Sequence, residues 1–364
     1  MAQTEFGVND PLARKAWSKK LAAETIAKTY VGKFIGGDDA LIHEKTDLKK
    51  SAGDTITCGL RVQLQGDGVQ GDNTLEGNEE AIDFHSDSIV IDQLRHATRS
   101  KGNMSEKRVP YSMRKVQKDA LSDWHAERLD ASAFNQMCGY TVQTDVRFTG
   151  MNAVSAPTSA RRIFVGSTKT DEGQGSGDIF TLEMIDYARE KAMTASIEDG
   201  TGPIIRPFKY QGEELYVAFL HPFQVTALRT GSGSRWKEIQ DALLQGGDGK
   251  KNPLFTGAVG MYNKTIIHET RRITPGVHSS TGAAVSTTRR AVFCGAQAAA
   301  IASGGSDDGT KYSWTEEMFD YGNQLGVSAG KIYGLKKCVF QPDSGSGGED
   351  FGVIVMSSRA EAAS

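Results

Sequence analysis

Asp83, His85 and Asp87 stand at alternate positions in the segment IDFHSDS. On a strand, side chains two apart share a face, so the three would converge as a set of oxygen and nitrogen donors for a divalent metal and metal-dependent hydrolysis. The same spacing describes the wet face of a hairpin, where such side chains are simply solvated. Gly36-Gly37-Asp38-Asp39 matches the acidic turn of polymerases and equally an ordinary turn. Gly246 to Lys250 has the glycine content of a phosphate loop, but Lys251 stands where Ser or Thr is needed to hold magnesium. His221 adjoins Pro222 at a strand-to-helix junction, and His268 with Glu269 closes a strand. Neither has a Ser or Cys nucleophile in a recognisable setting, and there is no G-x-S-x-G elbow. The expectation is a chain that is not an enzyme and that carries no cofactor or catalytic metal.

The elements around these residues give a stronger signal. Between Arg61 and Arg95 lie eight acidic residues and no Lys or Arg. Thr55 to Leu64 alternates, with Ile56, Cys58, Leu60, Val62 and Leu64 on one side, as a half-buried strand does. Ala81 to Gln93 returns, but Ile82 and Phe84 share one parity and Ile89 and Ile91 the other, which predicts a bulge or a change of buried face. The connection, Gln65 to Glu80, holds four glycines with Asp67, Asp72, Glu76, Glu79 and Glu80. It is too polar to cover a core and too rich in glycine for a helix, so it reads as a projecting flap.

A long helix follows, with Pro110 near its first turn and Gly139 as its left-handed stop, about 28 residues or ~42 Å. Its apolar stripe is Met113, Val116, Ala120, Leu121, Trp124, Ala131, Phe134 and Cys138. Lys101, Lys107, Arg108, Arg114, Lys115 and Lys118 crowd its start, where cations oppose the helix dipole at about 0.3 to 1 kcal/mol each. Either a neighbouring subunit's acidic flap lies over this basic end, or both are solvated faces. Leu12 to Phe34 is amphipathic and basic, with Arg14, Lys15, Lys19 and Lys20. It reads as a surface helix or as an arm docking on a partner or near nucleic acid.

Length and composition set the class. A chain of 364 residues with 38% apolar residues can build two or three cored domains, and 41 glycines point to many loops. A net charge of −3 excludes a molecule that binds nucleic acid through overall charge. Four scattered cysteines form no CxxC pair. Cys58, Cys294 and Cys338 sit in apolar strand patterns, as buried thiols of a reducing cytoplasm do. No apolar run reaches membrane-spanning length, and Glu5 and Asp10 disfavour a secretory signal.

After Gly139 the pattern is a mixture of helices and strands. Thr181 is placed to cap a helix with Leu182, Ile185, Ala188 and Ala192 inward. A second helix starts at Pro222 and runs through Leu228, and a third spans Ser234 to Leu244. Glu214 to Leu220, Lys264 to Glu269, Ala291 to Gly295, Lys336 to Gln341 and Phe351 to Met356 read as strands. Ser167 to Gly177, Gly246 to Asn252, Ser303 to Thr310 and Asp343 to Glu349 read as mobile surface loops.

Four segments in this order, SAGDTITCGL from Ser51, LHPFQVTALR from Leu220, NPLFTGAVGMYNKTIIHE from Asn252 and FDYGNQLGVSAGKIYGLKK from Phe319, resemble the major capsid proteins of N4-like tailed bacteriophages. The resemblance covers about Leu12 to Ser358. It implies an α+β fold of the Hong Kong 97 type: an N-terminal arm (1–52), an extended hairpin loop (53–100), a spine helix and peripheral domain (101–175), an axial domain (176–265), and return strands of both domains (266–364). It also implies self-assembly into pentamers and hexamers of an icosahedral head around double-stranded DNA, made in the host bacterial cytoplasm without contact to membrane. A portal and possible decoration protein belong to that picture. No long region precedes the arm, so the expected scaffolding protein is separate. The fold's founding member links subunits covalently through a loop lysine. This flap has none, so noncovalent linkage is expected. A bacterial encapsulin-like compartment is the alternative on the same fold, and a metal-dependent hydrolase the alternative from another class.

Overall fold

The computed structural model describes residues 11–46, 53–61, 64, 66–82, 84–195, 203–210, 213–231, 258–305, 311–340 and 348–362. Asp83, the expected helix Ser234 to Leu244, the Gly246 to Asn252 loop and most of the Asp343 to Glu349 loop lie outside them.

An eight-stranded mixed sheet follows from continuous apolar runs. Its order is Arg162–Phe164, Val353–Arg359, Ala284–Cys294, Glu213–Leu220, Thr265–Glu269 and Ala258–Tyr262. Phe208–Tyr210 and Pro275–Val277 add at the side. Both faces are covered, so alternate residues serve different cores. Leu215, Val217 and Phe219 pack with Leu129, Ala133, Phe134 and Met137 of the long helix. Tyr216, Ala218 and Leu220 pack under the helices Leu182–Thr194 and Pro222–Gly231, through Ile185, Ala188, Val225 and Leu228. Pro222 opens its helix as expected. Thr181 occupies the N-cap position of the other but makes no side-chain cap bond; its carbonyl accepts from the Met184 amide at 3.3 Å.

The second sheet is organised on one long strand, Gln324–Lys337. Asp92–Arg99 pairs along one edge. Ser313–Phe319 and then Ala299–Ser303 pair along the other, and Ile42–Lys45 and Ile35–Gly36 extend the sheet. The sequence pattern marked only its last residues, because its Gly326, Gly330 and Gly334 thin the apolar alternation.

The long helix runs Met113–Met137, 25 residues, later than expected. Pro110 lies outside it, between it and a separate turn at Asn103–Lys107. A proline disfavours helical geometry in the residue before it and has no amide to donate. Gly139 ends it at φ 62°, and a Cβ there would come within 2.5 Å of Pro157. The expected stripe needs correction. Val116 and Ala120 are exposed, whereas Gln117, Lys118, Ser122, His125, Asp130 and Gln136 are buried. The helix is covered on more than one face, so polar residues enter where partners await them. Gln136 donates to the carbonyls of Thr149 (2.7 Å) and Asn152 (3.0 Å).

The basic N-terminal segment forms the helix Pro11–Lys28, docked on this same chain. Leu21 is fully buried with Leu121, and Trp17 stacks on Trp314 at 5.8 Å between centroids. Past Thr29, the amides of Tyr30 and Val31 donate to Asp130 at 3.1 and 3.0 Å. The Ser167 to Gly177 segment is also tied down. Asp171 is enclosed, pairs with Arg290 at 2.6 Å and accepts from the Val277 amide at 2.9 Å. Arg290 in turn donates to the Gly139 carbonyl at 2.7 Å, fastening the end of the long helix. All four cysteines are free thiols. Cys138, Cys294 and Cys338 are buried, but Cys58 only half so, because its strand leaves the body.

His125 supplies a pH response. Burial holds it well below the ordinary histidine value, at about 4, opposed by a bond to the Ala329 backbone and helped by the Lys331 charge. The unfolded chain takes up this proton near pH 6.5 and the folded chain only near 4, so stability present above about pH 6.5 is lost as pH falls toward 4. The loss is at most about 3 kcal/mol. Denaturant titrations of the isolated subunit across this range should show that fall, and His125→Gln should flatten it.

Candidate subunit interface

The hairpin pairs Thr55–Arg61 with Phe84–Val90, from Thr55 opposite Val90 to Arg61 opposite Phe84. At its root Ile56 and Ile89 face each other, 6% and 1% exposed, in a small core with Ile91, Ala300, Ala302, Phe340 and Phe351. Toward the tip this burial disappears. Leu64, Leu75, Ile82 and Phe84 are 53 to 61% exposed. The parity change read in the return strand is therefore a change of surroundings. The chain passes at Ile91 from the hairpin into Asp92–Arg99 of the second sheet, and Ile89 and Ile91 meet the body while Ile82 and Phe84 stand off it.

The root is clamped by polar contacts. The Asn152 side chain accepts from the Val90 amide and donates to the Val90 carbonyl, each at 3.0 Å, as a neighbouring strand would. Asp87 pairs with Lys336 and accepts from the Val339 amide at 3.1 Å. Lys336 also donates to the Ser88 carbonyl at 3.0 Å. A Cβ on Gly334 would sit 2.0 Å from the Val90 carbonyl oxygen, so only glycine lets the long strand pass there. Asp87 thus fastens the hairpin, which is a different task from the metal ligation read into Asp83, His85 and Asp87. Among the described residues no group of three His, Cys, Asp or Glu could hold a metal ion.

The flap residues Asp67, Asp72, Glu76, Glu79 and Glu80 are all exposed. Two of them organise the flap itself: Glu80 accepts from the Gly66 amide and Glu79 from the Gly77 amide, each at 2.7 Å. Gly68, Gly71 and Gly77 have φ of 72°, 67° and 92°, so the acidic segment is a chain of turns.

The basic end divides in two. Lys107, Arg108 and Lys115 are exposed. Arg114 is bound by both carboxylate oxygens of Glu316, with Nε to Oε1 at 2.8 Å, and is stacked over Trp17. Lys118 is buried against Glu24 at 2.5 Å and Asp119 at 3.3 Å. The acidic residues offsetting these two cations come from the same chain. Glu24 and Glu316 are distant in sequence, so charge counting could not find them. Along the arm, Lys15, Lys19 and Lys20 are exposed and Lys20 lies 5.2 Å over the Trp17 ring, while the Arg14 side chain lies outside the described residues.

Sequence reasoning missed the apolar part of both surfaces. Met104, Tyr111, Val116, Met318 and Tyr321 are exposed around the basic end, as Leu64, Leu75, Ile82 and Phe84 are on the flap. Large apolar residues inside an acidic, glycine-rich segment were the available signal. The other histidines read for chemistry have structural surroundings. His268 is buried with its ring 5.2 Å from that of Phe34, and His221 accepts from the Phe223 amide at 3.2 Å through Nδ1.

Comparison with known proteins fits this geometry. Residues 5–362 match the family described as phage capsid protein. The chain is 30% identical to the major capsid protein of Pseudomonas phage KPP25, over 94% of this chain and 93% of that one. The capsid of Ralstonia phage GP4 superposes with a TM-score of 0.80 at 32% identity, covering 99% of both chains. The capsid of cyanophage Pam1 shares the fold, with a TM-score of 0.68 at 19% identity over 99% of this chain and 94% of that one. The family match over nearly the whole chain and the likeness to these capsids give the assignment: the chain belongs to the phage capsid protein family, with the Hong Kong 97-like fold, and is a structural major capsid protein of a phage.

Proposed function

We propose that copies of this chain form the pentamers and hexamers of an icosahedral head, with the flap of one subunit lying over the basic start of the long helix of the next. The observation that carries this reading is the flap: clamped to the body at its root and, among the described residues, exposing Leu64, Leu75, Ile82 and Phe84 together with Asp67, Asp72, Glu76, Glu79 and Glu80. Burying such a patch on a neighbour contributes about 25 cal/mol per Å2, and its charges select the partner surface. Lys107, Arg108 and Lys115, with Met104 and Tyr111, are the receiving residues. A loop and a receptor on different surfaces of one subunit suit the head-to-tail contacts of a closed ring.

In this reading the extended loop expected at 53–100 is the hairpin up to Ile91, since Asp92–Arg99 belongs to the second sheet; 101–175 is the spine helix and peripheral domain, 176–265 the axial domain and 266–364 the return strands. The four sequence segments support a place among the N4-like phages. The head would assemble in the host cytoplasm with a separate scaffolding protein, a portal and a possible decoration protein, and would enclose double-stranded DNA held without sequence preference. Lys15, Lys19 and Lys20 are available to meet its phosphates. The chain performs no catalysis of its own.

Reversing Glu76, Glu79 and Glu80 to Lys should cut shell yield while leaving the subunit's circular dichroism and denaturation midpoint unchanged; electron microscopy showing normal shells would sink the flap contact. Asn152→Ala should cost about 1 to 3 kcal/mol at the hairpin root. Hydrogen exchange at Val90 should then quicken while Val355 stays protected. Denatured shells analysed by mass spectrometry should give a single subunit mass, because no lysine lies between Arg61 and Arg95 to form a covalent link. Ladders of linked subunits would contradict it.

A further inference from the structure

A second feature lies away from the hairpin, where the helix Leu182–Thr194 meets Arg162–Phe164, the terminal strand of the eight-stranded sheet. A cavity of about 350 Å3 opens there, lined by Ser159, Arg162, Phe164, Gly166, Lys169 and Lys191. Three of the six lining residues are cationic, and among the described residues none of the lining is acidic. Among the described residues the nearby acidic groups are engaged elsewhere, Glu172 accepting from the Ser279 amide at 3.2 Å. Asp171 is taken by Arg290 and the Val277 amide and reaches Arg162 only at 3.4 Å. Asp178, beside Gly166, accepts from the Gly175 amide at 2.7 Å.

The cations are under-used. Arg162 stacks its guanidinium 4.6 Å over Phe164, and its Nε, enclosed, has no hydrogen-bond partner among the described residues. Lys191 donates to the Arg162 carbonyl at 3.3 Å and has no carboxylate partner among them, and Lys169 is exposed without one. Burial pushes Lys191 below the usual lysine range, and the charges of Arg161 and Lys169 push it further. Like charges gathered around a cavity repel unless an anion joins them.

We infer that this cavity is a binding site for a phosphate-class oxyanion, held by the guanidinium of Arg162, the ammonium groups of Lys169 and Lys191, and the hydroxyl of Ser159. A guanidinium held over an aromatic ring presents its N–H groups in a planar fork, the geometry that matches phosphate oxygens. The anion is either free phosphate or a phosphate of a nucleic-acid backbone. The site stands on its own residues, whatever the flap does.

Purified protein is titrated calorimetrically with inorganic phosphate, and separately with a short DNA duplex, at constant ionic strength kept with sodium chloride. Saturable phosphate binding, weakened at least about tenfold in Lys169→Gln with Lys191→Gln and restored by Lys191→Arg, establishes the site for the free anion. Duplex binding that falls in the same variant and that phosphate does not match assigns it to backbone phosphate. Where the double variant folds poorly, Lys169→Glu alone serves, since that side chain is exposed. Absence of binding by either probe, or binding that the substitutions leave unchanged, overturns the inference.

Discussion

Backbone pairing along both edges of Gln324–Lys337 is the constraint on which the rest depends. One edge holds Asp92–Arg99, the continuation of the hairpin, and the other holds Ser313–Phe319 and Ala299–Ser303 in succession. Its residues contact the long helix, and its Gly334 lets the hairpin root pass against its backbone. A buried strand cannot leave amides and carbonyls unpaired without losing about 1 to 3 kcal/mol for each. The alignment of hairpin, helix and sheet is therefore fixed together. A projecting element can have a defined direction only if its root has one, and this strand supplies it.

Charge is used in two ways in the same molecule. Inside, ion pairs act as positional locks. Lys337 and Asp350 are fully enclosed at 2.7 Å, and Arg290 joins Asp171 to the end of the long helix. Such pairs recover little net energy after desolvation, but losing one partner strands a buried charge, so wrong packings are penalised. Outside, the flap carboxylates and the exposed cations at the start of the helix stay solvated in the isolated subunit, where they cost little. The interior charges specify one fold; in the proposed assembly the exterior ones would specify a neighbour.

Exposed apolar residues complete that division. Leu64, Leu75, Ile82 and Phe84 would weaken a subunit meant to stay alone, yet among the described residues they stand exposed beyond the small core at the hairpin root. In the proposed flap contact, surfaces combining modest apolar area with charge would give the repeated contacts of a shell without favouring uncontrolled aggregation.

The sequence by itself determined the local features: the alternating hairpin strand, the acidic turns with their glycines, the helix ending at Gly139, Pro222 opening its helix, and the apolar strand runs read at Glu214 to Leu220 and Phe351 to Met356, which form Glu213–Leu220 and Val353–Arg359. These depend on period, propensity and backbone freedom, which neighbours in the chain decide. Resemblance in four ordered segments carried the family. Only the tertiary structure decided which charges were spent. Arg114 and Lys118 looked available until Glu316 and Glu24 were brought to them, and Asp87 looked like a ligand until Lys336 and the Val339 amide claimed it. The long glycine-bearing strand was also illegible, since its identity comes from the partners on its two edges. Pairings between residues hundreds of positions apart leave no periodic trace, because folding selects them by geometry after the local elements exist.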